Sequence, residues 1–287
     1  MIREMPVNAV ARIMRISDDV PWGILHHFVL LAMDRVDMNS VRRIGIDETS
    51  CRKGHDYITL FVDMDSHKVL FATDGKGSDM VKEFIIWFKE HKGRPDLITD
   101  VSCDMSAAFL SGIAGELPNA KVTLDRFHIM KLATEAVDKV RKTINGVKKL
   151  ELKNRFWLLK RNSRLKGHEK EQLDIVLKEN VDLGRAYMIK EMLGDMYLLD
   201  RREDGELYLD RWISFSSAGV PDPVKHLSKT VKTHRDGILQ WFDSHLSNGV
   251  LEGINSVIQG VKRMARGYRL PRNMITMIYL RGSGISV

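Results

Sequence analysis

Cysteine is scarce in this chain. Cys51 and Cys103 are the only two in 287 residues, with no Cys-x-x-Cys spacing, so neither a disulfide framework nor a complete zinc ribbon can be assembled. A reducing cytoplasm suits that usage. Long hydrophobic runs are missing too: "FVLLAM" (28–33) and "MITMIYL" (274–280) stop well short of the roughly 20 residues that cross a bilayer. The opening "MIREMPVNAV" carries an acid and no extended apolar centre, so no secretory leader is expected. Negative charge is absent from the far end. After Glu252 no acid follows through Val287, whereas Lys262, Arg263, Arg266, Arg269, Arg272 and Arg281 do.

What is present is an ordinary globular composition, 44% apolar, ample for a packed core. The formal net charge of +7 points to a polyanionic partner, nucleic acid first.

The first half reads as strands and helices in alternation. "RRIGID" (42–47), "YITLFVDM" (57–64) and "KVLFAT" (68–73) are short, β-branched or aromatic, and divided by polar turns, the pattern of an antiparallel meander. "SDMVKEFIIWFKEHKG" follows, with Ser78 as its N-cap and Val81, Phe84, Ile85 and Phe88 at helical spacing. "DLITDVSCD" gives a fourth strand, a helix begins near Ser106, and "AKVTL" (120–124) gives a fifth strand. Three strands, then helix, strand, helix, strand predicts an α/β unit with a mixed sheet. From Arg126 to Ser244 the pattern is helical, as in "VKKLELKNRFWLLKRNSRL", with a break near "SAGVPDP" (217–223). This reads as a helical insertion, and its "RFWLLKRNSR" is a further candidate for touching DNA. The N-terminal segment reads helix, short turn, helix, with Ser17 or Asp18 capping the second helix and Pro21 in its first turn.

Asp47 closes the first predicted strand and Asp104 lies just past the fourth. If those strands pair in parallel, both acids emerge at the carboxyl edge of the sheet, where open α/β sheets bind ligands. Each also has a local reading, Asp104 as a helix cap and Asp47 as a turn residue. Glu48 adjoins Asp47 but points to the opposite face of a strand. Residues 250–266 place Leu251, Ile254, Ile258, Val261 and Ala265 on one stripe and Glu252, Asn255, Ser256, Gln259, Arg263 and Arg266 on another. A carboxylate in a first turn suits the helix dipole, but that does not account for a polar stripe running into arginine. Together, Asp47, Asp104 and Glu252 would be three hard oxygen donors suited to Mg²⁺ or Mn²⁺. Two such ions, about 3.5 to 4 Å apart, polarise the attacking and leaving oxygens of a phosphoryl displacement.

The stretches "IGIDE", "RKGHDYITLFVDMDSHKVL", "SCDMSAAF", "LPNAKVTLDRFHIMKLATEAVDKVRK" and "SNGVLEGINSVIQGVKRMARGYR" resemble the DDE transposases of the ISL3 bacterial insertion-sequence family, from about Arg43 to Arg281. The resemblance implies a ribonuclease-H-like core with a helical insertion before the last acid. It also implies catalytic and metal-binding roles for Asp47, Asp104 and Glu252, and a supporting role for Asp125 and His128 of "DRFH". Met5 to Val29 resembles the family's last helix-turn-helix, without the paired cysteines that precede it there.

The expectation is therefore an α/β, ribonuclease-H-like mixed sheet. A helix-turn-helix segment should occupy 1–38, the first part of the core 39–144, the helical insertion 145–245, and the final core helix with its basic tail 246–287. The expected activity is metal-dependent cleavage and strand transfer of double-stranded DNA with two Mg²⁺ or Mn²⁺ ions. Lys262, Arg263, Arg266 and Arg269 are expected on phosphates. The resemblance implies a homodimer or larger assembly on DNA, in the bacterial cytoplasm at the nucleoid. The alternatives are a truncated, non-catalytic regulator of transposition and a ribonuclease-H-like structure-specific nuclease.

Overall fold

The computed structural model describes residues 1–51, 57–145, 152–246 and 249–286. Parts of three quoted stretches therefore lie outside the described residues: 52–56 of "RKGHDYITLFVDMDSHKVL", 147–151 of the insertion and 247–248 of "SNGVLEGIN". The chain divides into two compact units, residues 1–123 with 246–287, and residues 124–245. That division puts the start of the helical unit at Leu124 rather than at 145, because the long helix after the fifth strand packs with the helices that follow it.

In the first unit, helices α1 (Val7–Met14) and α2 (Asp19–Met33) precede three strands, β1 (Arg43–Ser50), β2 (Tyr57–Asp63) and β3 (Lys68–Asp74). Helix α3 (Ser78–Glu90), β4 (Asp100–Cys103), α4 (Ala107–Glu116) and β5 (Lys121–Leu124) follow. Among the described residues these strands form one sheet in the order β3-β2-β1-β4-β5. The β1–β2 and β2–β3 pairs are antiparallel and β1–β4 is parallel. Ser78 is the first residue of α3 and not its cap. Gly77 holds the cap position at φ 131°, a backbone geometry that side chains disfavour.

Strand β2 is buried from Ile58 to Asp63, as a central strand covered on both faces must be. Phe61 stacks on Phe84 of α3, with ring centroids 4.2 Å apart. On the other face Ile58, Leu60 and Val62 join one core with Leu25 and Val29 of α2 and Met274, Met277 and Ile278. The last three belong to a helix where only a basic tail was expected. It runs Pro271–Gly282 beneath the sheet, and Tyr279 fastens it there, its hydroxyl accepting from the Ala72 amide at 2.9 Å and donating to the Ala72 carbonyl at 3.2 Å. His26 of α2 reaches the same helix, bonding Thr276 Oγ1 at 2.7 Å and Asn273 Oδ1 at 3.0 Å. The N-terminal hairpin is thus built into the core of the first unit.

The second unit is helical: α5 (Arg126–Asn145), α6 (Leu152–Leu159), α7 (Gly167–Glu179), α8 (Val181–Met196), α9 (Arg202–Ser217), α10 (Asp222–Thr233), α11 (Arg235–Leu239) and α12 (Trp241–Ser244). Buried Trp212 donates to the Ile189 carbonyl at 2.9 Å, joining α9 to α8. The break between α9 and α10 falls at the expected "SAGVPDP". Returning to the first unit, α13 spans Gly249–Met264 and α14 is the helix at Pro271–Gly282. No helix among the described residues is long and apolar enough to cross a membrane.

Candidate active site and nucleic-acid interface

The parallel ladder between β1 and β4 sets the first part of the site. It pairs Arg43 with Asp100, Ile44 with Val101 and Gly45 with Ser102. The parallel ladder ends at Gly45 and Ser102, and Asp47 and Asp104 each lie two residues beyond it, at the same 57-residue offset. Strand β4 ends at Cys103, whereas β1 continues to Ser50 on β2 alone, pairing Asp47 with Leu60 and Glu48 with Thr59. Asp47 is therefore not the end of its strand, because the β1–β2 hairpin outruns the parallel ladder.

Each aspartate also does local work. Asp47 Oδ1 accepts the Glu48 amide at 2.8 Å, and Asp104 Oδ1 accepts the Ser106 amide at 2.9 Å on the way into α4. At Asp104 this local turn takes one carboxylate oxygen of the two.

Helix α13 lies along β1 in a fixed register. Leu251 covers Gly45, where an added Cβ would come within 3.0 Å of its Cδ2. Asn255 Nδ2 donates to Asp47 Oδ2. Gln259 donates to Thr49 Oγ1 at 2.8 Å, and Lys262 Nζ donates to the Ser50 carbonyl at 2.6 Å. At 3.6 residues per turn Glu252 shares this stripe, about 4.5 Å before Asn255 along the axis, and its side chain is exposed. Among the described residues, no three of His, Cys, Asp and Glu converge as a metal cage would require. Asn255 holds the place beside Asp47, and its Oδ1 is buried with no partner.

Sequence reasoning missed Asn255 and Gln259 as the strap between α13 and β1. The signal was their spacing with Lys262, four and then three residues apart, beside an apolar stripe. Burial holds the Glu48 carboxyl above its usual range, Asp104 and Asp47 add to the shift, and Lys76 opposes it. A carboxyl raised in the folded state contributes stability below the ordinary glutamate range and loses it as pH rises through the folded value. Glu48→Gln is accordingly expected to raise the melting temperature at pH 7. The gain should vanish as the pH falls below about 4, and thermal melts across that range measure it.

The four predicted phosphate contacts line a single cleft of about 1120 Å³ within the first unit, together with Asn8, Asp18 and Trp22 of the N-terminal segment. Asp18 is the one acid of its wall among the described residues. Lys262 is half-buried and held by Ser50, whereas Arg263, Arg266 and Arg269 are exposed. Arg266 sits at φ 57°, a left-handed geometry that costs a non-glycine residue on the order of 1 kcal/mol. Arg266→Gly should leave the melting temperature unchanged or raise it, while lowering the salt dependence of DNA binding by about one unit. Titrations at several salt concentrations decide it.

Asp125 and His128 form their own pair in the helical unit. Buried Asp125 accepts the Phe127 amide at 2.9 Å and bonds His128 Nδ1 at 2.6 Å. The aspartate thus caps α5 and orients the imidazole.

A mixed sheet of this strand order, antiparallel from β3 to β1 and parallel from β1 to β4, belongs to the ribonuclease-H-like class. Within that class the chain belongs to the ISL3 family of transposases, which it matches over residues 44–278. It is similar to the transposase for insertion sequence element IS1557 of Mycobacterium tuberculosis, at 28% identity over 96% of this chain and 68% of the relative. It is also similar to the transposase for insertion sequence element IS1001 of Bordetella parapertussis, at 25% identity over 94% of this chain and 68% of the relative.

Proposed function

We propose that this insertion-sequence transposase cleaves DNA at the ends of its element and joins the freed 3′ ends to target DNA, with Asp47, Asp104 and Glu252 as its catalytic acids. The observation that supports the reading is the parallel pairing of β1 with β4, which ends two residues before both Asp47 and Asp104. The donor chemistry fits Mg²⁺ or Mn²⁺: two aspartates, an exposed glutamate on the adjoining stripe of α13, and the partnerless Asn255 oxygen are all hard donors. When bound, two such ions would polarise the scissile phosphodiester and its nucleophile.

The chain's own residues do the positioning. Asp47 lies in β1 and Asp104 just past β4, and the α13 strap fixes the helix that carries Glu252 about one turn before Asn255. Arg263, Arg266 and Arg269 neutralise backbone phosphates in the cleft, a sequence-independent contribution to affinity. Asp125 and His128 are proposed to support the handling of DNA near the scissile phosphate, with two copies of the chain acting together on paired ends.

The test is incubation with precut element-end DNA, supercoiled plasmid and Mn²⁺ or Mg²⁺. A strand-transfer product that disappears with Asp104→Ala is expected. No product, or equal product from the variant, sinks the reading. One observation favours a second reading, a DNA-binding regulator without catalysis: the three acids do not converge. That reading requires the wild type to yield no strand-transfer product while DNA binding persists in EDTA, unaltered by Asp47→Asn.

A further inference from the structure

The helical unit has a cationic pocket of its own, about 490 Å³ in volume. Its wall comes from the start of α5, the turn between α6 and α7, α7 itself and the end of α8. Arg161 fixes that wall. Its guanidinium donates to the Glu191 carbonyl at 2.8 Å and to Asp195 Oδ1 at 2.6 Å, and the next amide, Asn162 N, donates to Glu191 Oε2 at 3.0 Å. The guanidinium lies flat on α8 because residue 194 is glycine: a Cβ there would stand 1.7 Å from Arg161 Nη1.

These bonds engage both acids of the wall, Glu191 and Asp195, with Arg161 and its turn. Three cations remain. Arg126, Arg164 and Lys170 line the pocket, are exposed, and have no carboxylate partner among the described residues. Arg126 is held in place by the Tyr197 ring, 4.8 Å from its centroid. Three like charges gathered in a concavity repel one another and concentrate counter-anions there. A merely solvated basic face needs neither a turn clamped by Arg161 nor a glycine cut to receive it.

We infer that Arg126, Arg164 and Lys170 form a second DNA-backbone site, in which the helical unit takes phosphates of the strand without reading bases. The inference rests on the chain acting on DNA, and it adds a contact surface separate from the cleft of Arg263, Arg266 and Arg269. The shared chemistry is a phosphate oxygen meeting guanidinium and ammonium donors. A free phosphate would use the same donors, so the experiment separates the two sources.

Duplex DNA is titrated by fluorescence anisotropy between 50 and 200 mM NaCl with the full chain and with the triple variant Arg126→Ala, Arg164→Ala, Lys170→Ala. Loss of three phosphate contacts lowers the salt slope by about 2.7, so the affinity drop across that range shrinks by about fortyfold. Gly194→Ala, which removes no charge but displaces Arg161, should lower the slope in the same direction. A wild-type slope in a triple variant that melts normally overturns the pocket and leaves the transposase reading intact. A wild type that binds no DNA overturns both. Pyrophosphate that raises the wild-type melting temperature at millimolar concentration, without DNA competing for it, makes this a small-anion site and overturns the proposal.

Discussion

Asp104→Asn is expected to lower metal-dependent DNA nicking on the order of a thousandfold or more while leaving the fold nearly untouched. Under the proposed function the two effects separate, because the residue would have two jobs. The asparagine carbonyl still accepts the Ser106 amide that Asp104 Oδ1 accepts at 2.9 Å, and asparagine makes such a local turn about as well as aspartate. Stability should therefore change by less than about 1 kcal/mol. What is lost is a negative oxygen donor, and Lewis-acid stabilisation worth several kcal/mol goes with it, each 1.4 kcal/mol or so being a factor of ten in rate. A nicking assay in Mn²⁺ beside a thermal melt measures both. If Asp104 served only to hold that turn, the variant would nick as fast as the wild type.

The second large effect is expected from Gly45→Val. A Cβ at this position would come within 2.6 Å of Met64 Sδ and 3.0 Å of Leu251 Cδ2, and Leu251 is fully buried. Overpacking of this kind costs about 1 to 3 kcal/mol. The larger consequence is for chemistry, because Leu251 is the residue before Glu252 and one turn before Asn255. Pushing α13 off β1 shifts both against Asp47, and a displacement of about 1 Å costs on the order of a hundredfold in rate. Melting temperature and nicking rate should fall together, and trimming the neighbour in a Gly45→Ala, Leu251→Val pair should restore much of both. A Gly45→Val variant with normal nicking would show that the contact does not position the site.

Much of the architecture was legible because alternation and helical spacing are local signals. Strands β2, β3 and β5 lie within a residue of their expected bounds, and two helices, α1 and α2, stand at the N-terminus. The misses arose where tertiary contacts decide. "RRIGID" does not end at Asp47, since whether a strand continues depends on its neighbour, here β2. The run "MITMIYL" carries no label saying that it is a helix under the sheet, and its place is set by Tyr279 reaching Ala72, 207 residues away in sequence. The parallel pairing of β1 with β4, on which the choice of aspartates rested, was legible from element order alone. The orientation of Glu252 was not, since a side chain on an exposed helix face has several rotamers and periodicity gives only the face.

The N-terminal helices have a mechanical consequence. Leu25 and Val29 share a hydrophobic core with Leu60 of the sheet and Met277 beneath it, and His26 is bonded to that same lower helix. A hairpin anchored in this way cannot roam on a tether. Under the proposed function, any stretch of duplex held by this hairpin would be presented to the sheet like work clamped to the bed of a saw, at a spacing fixed by the molecule.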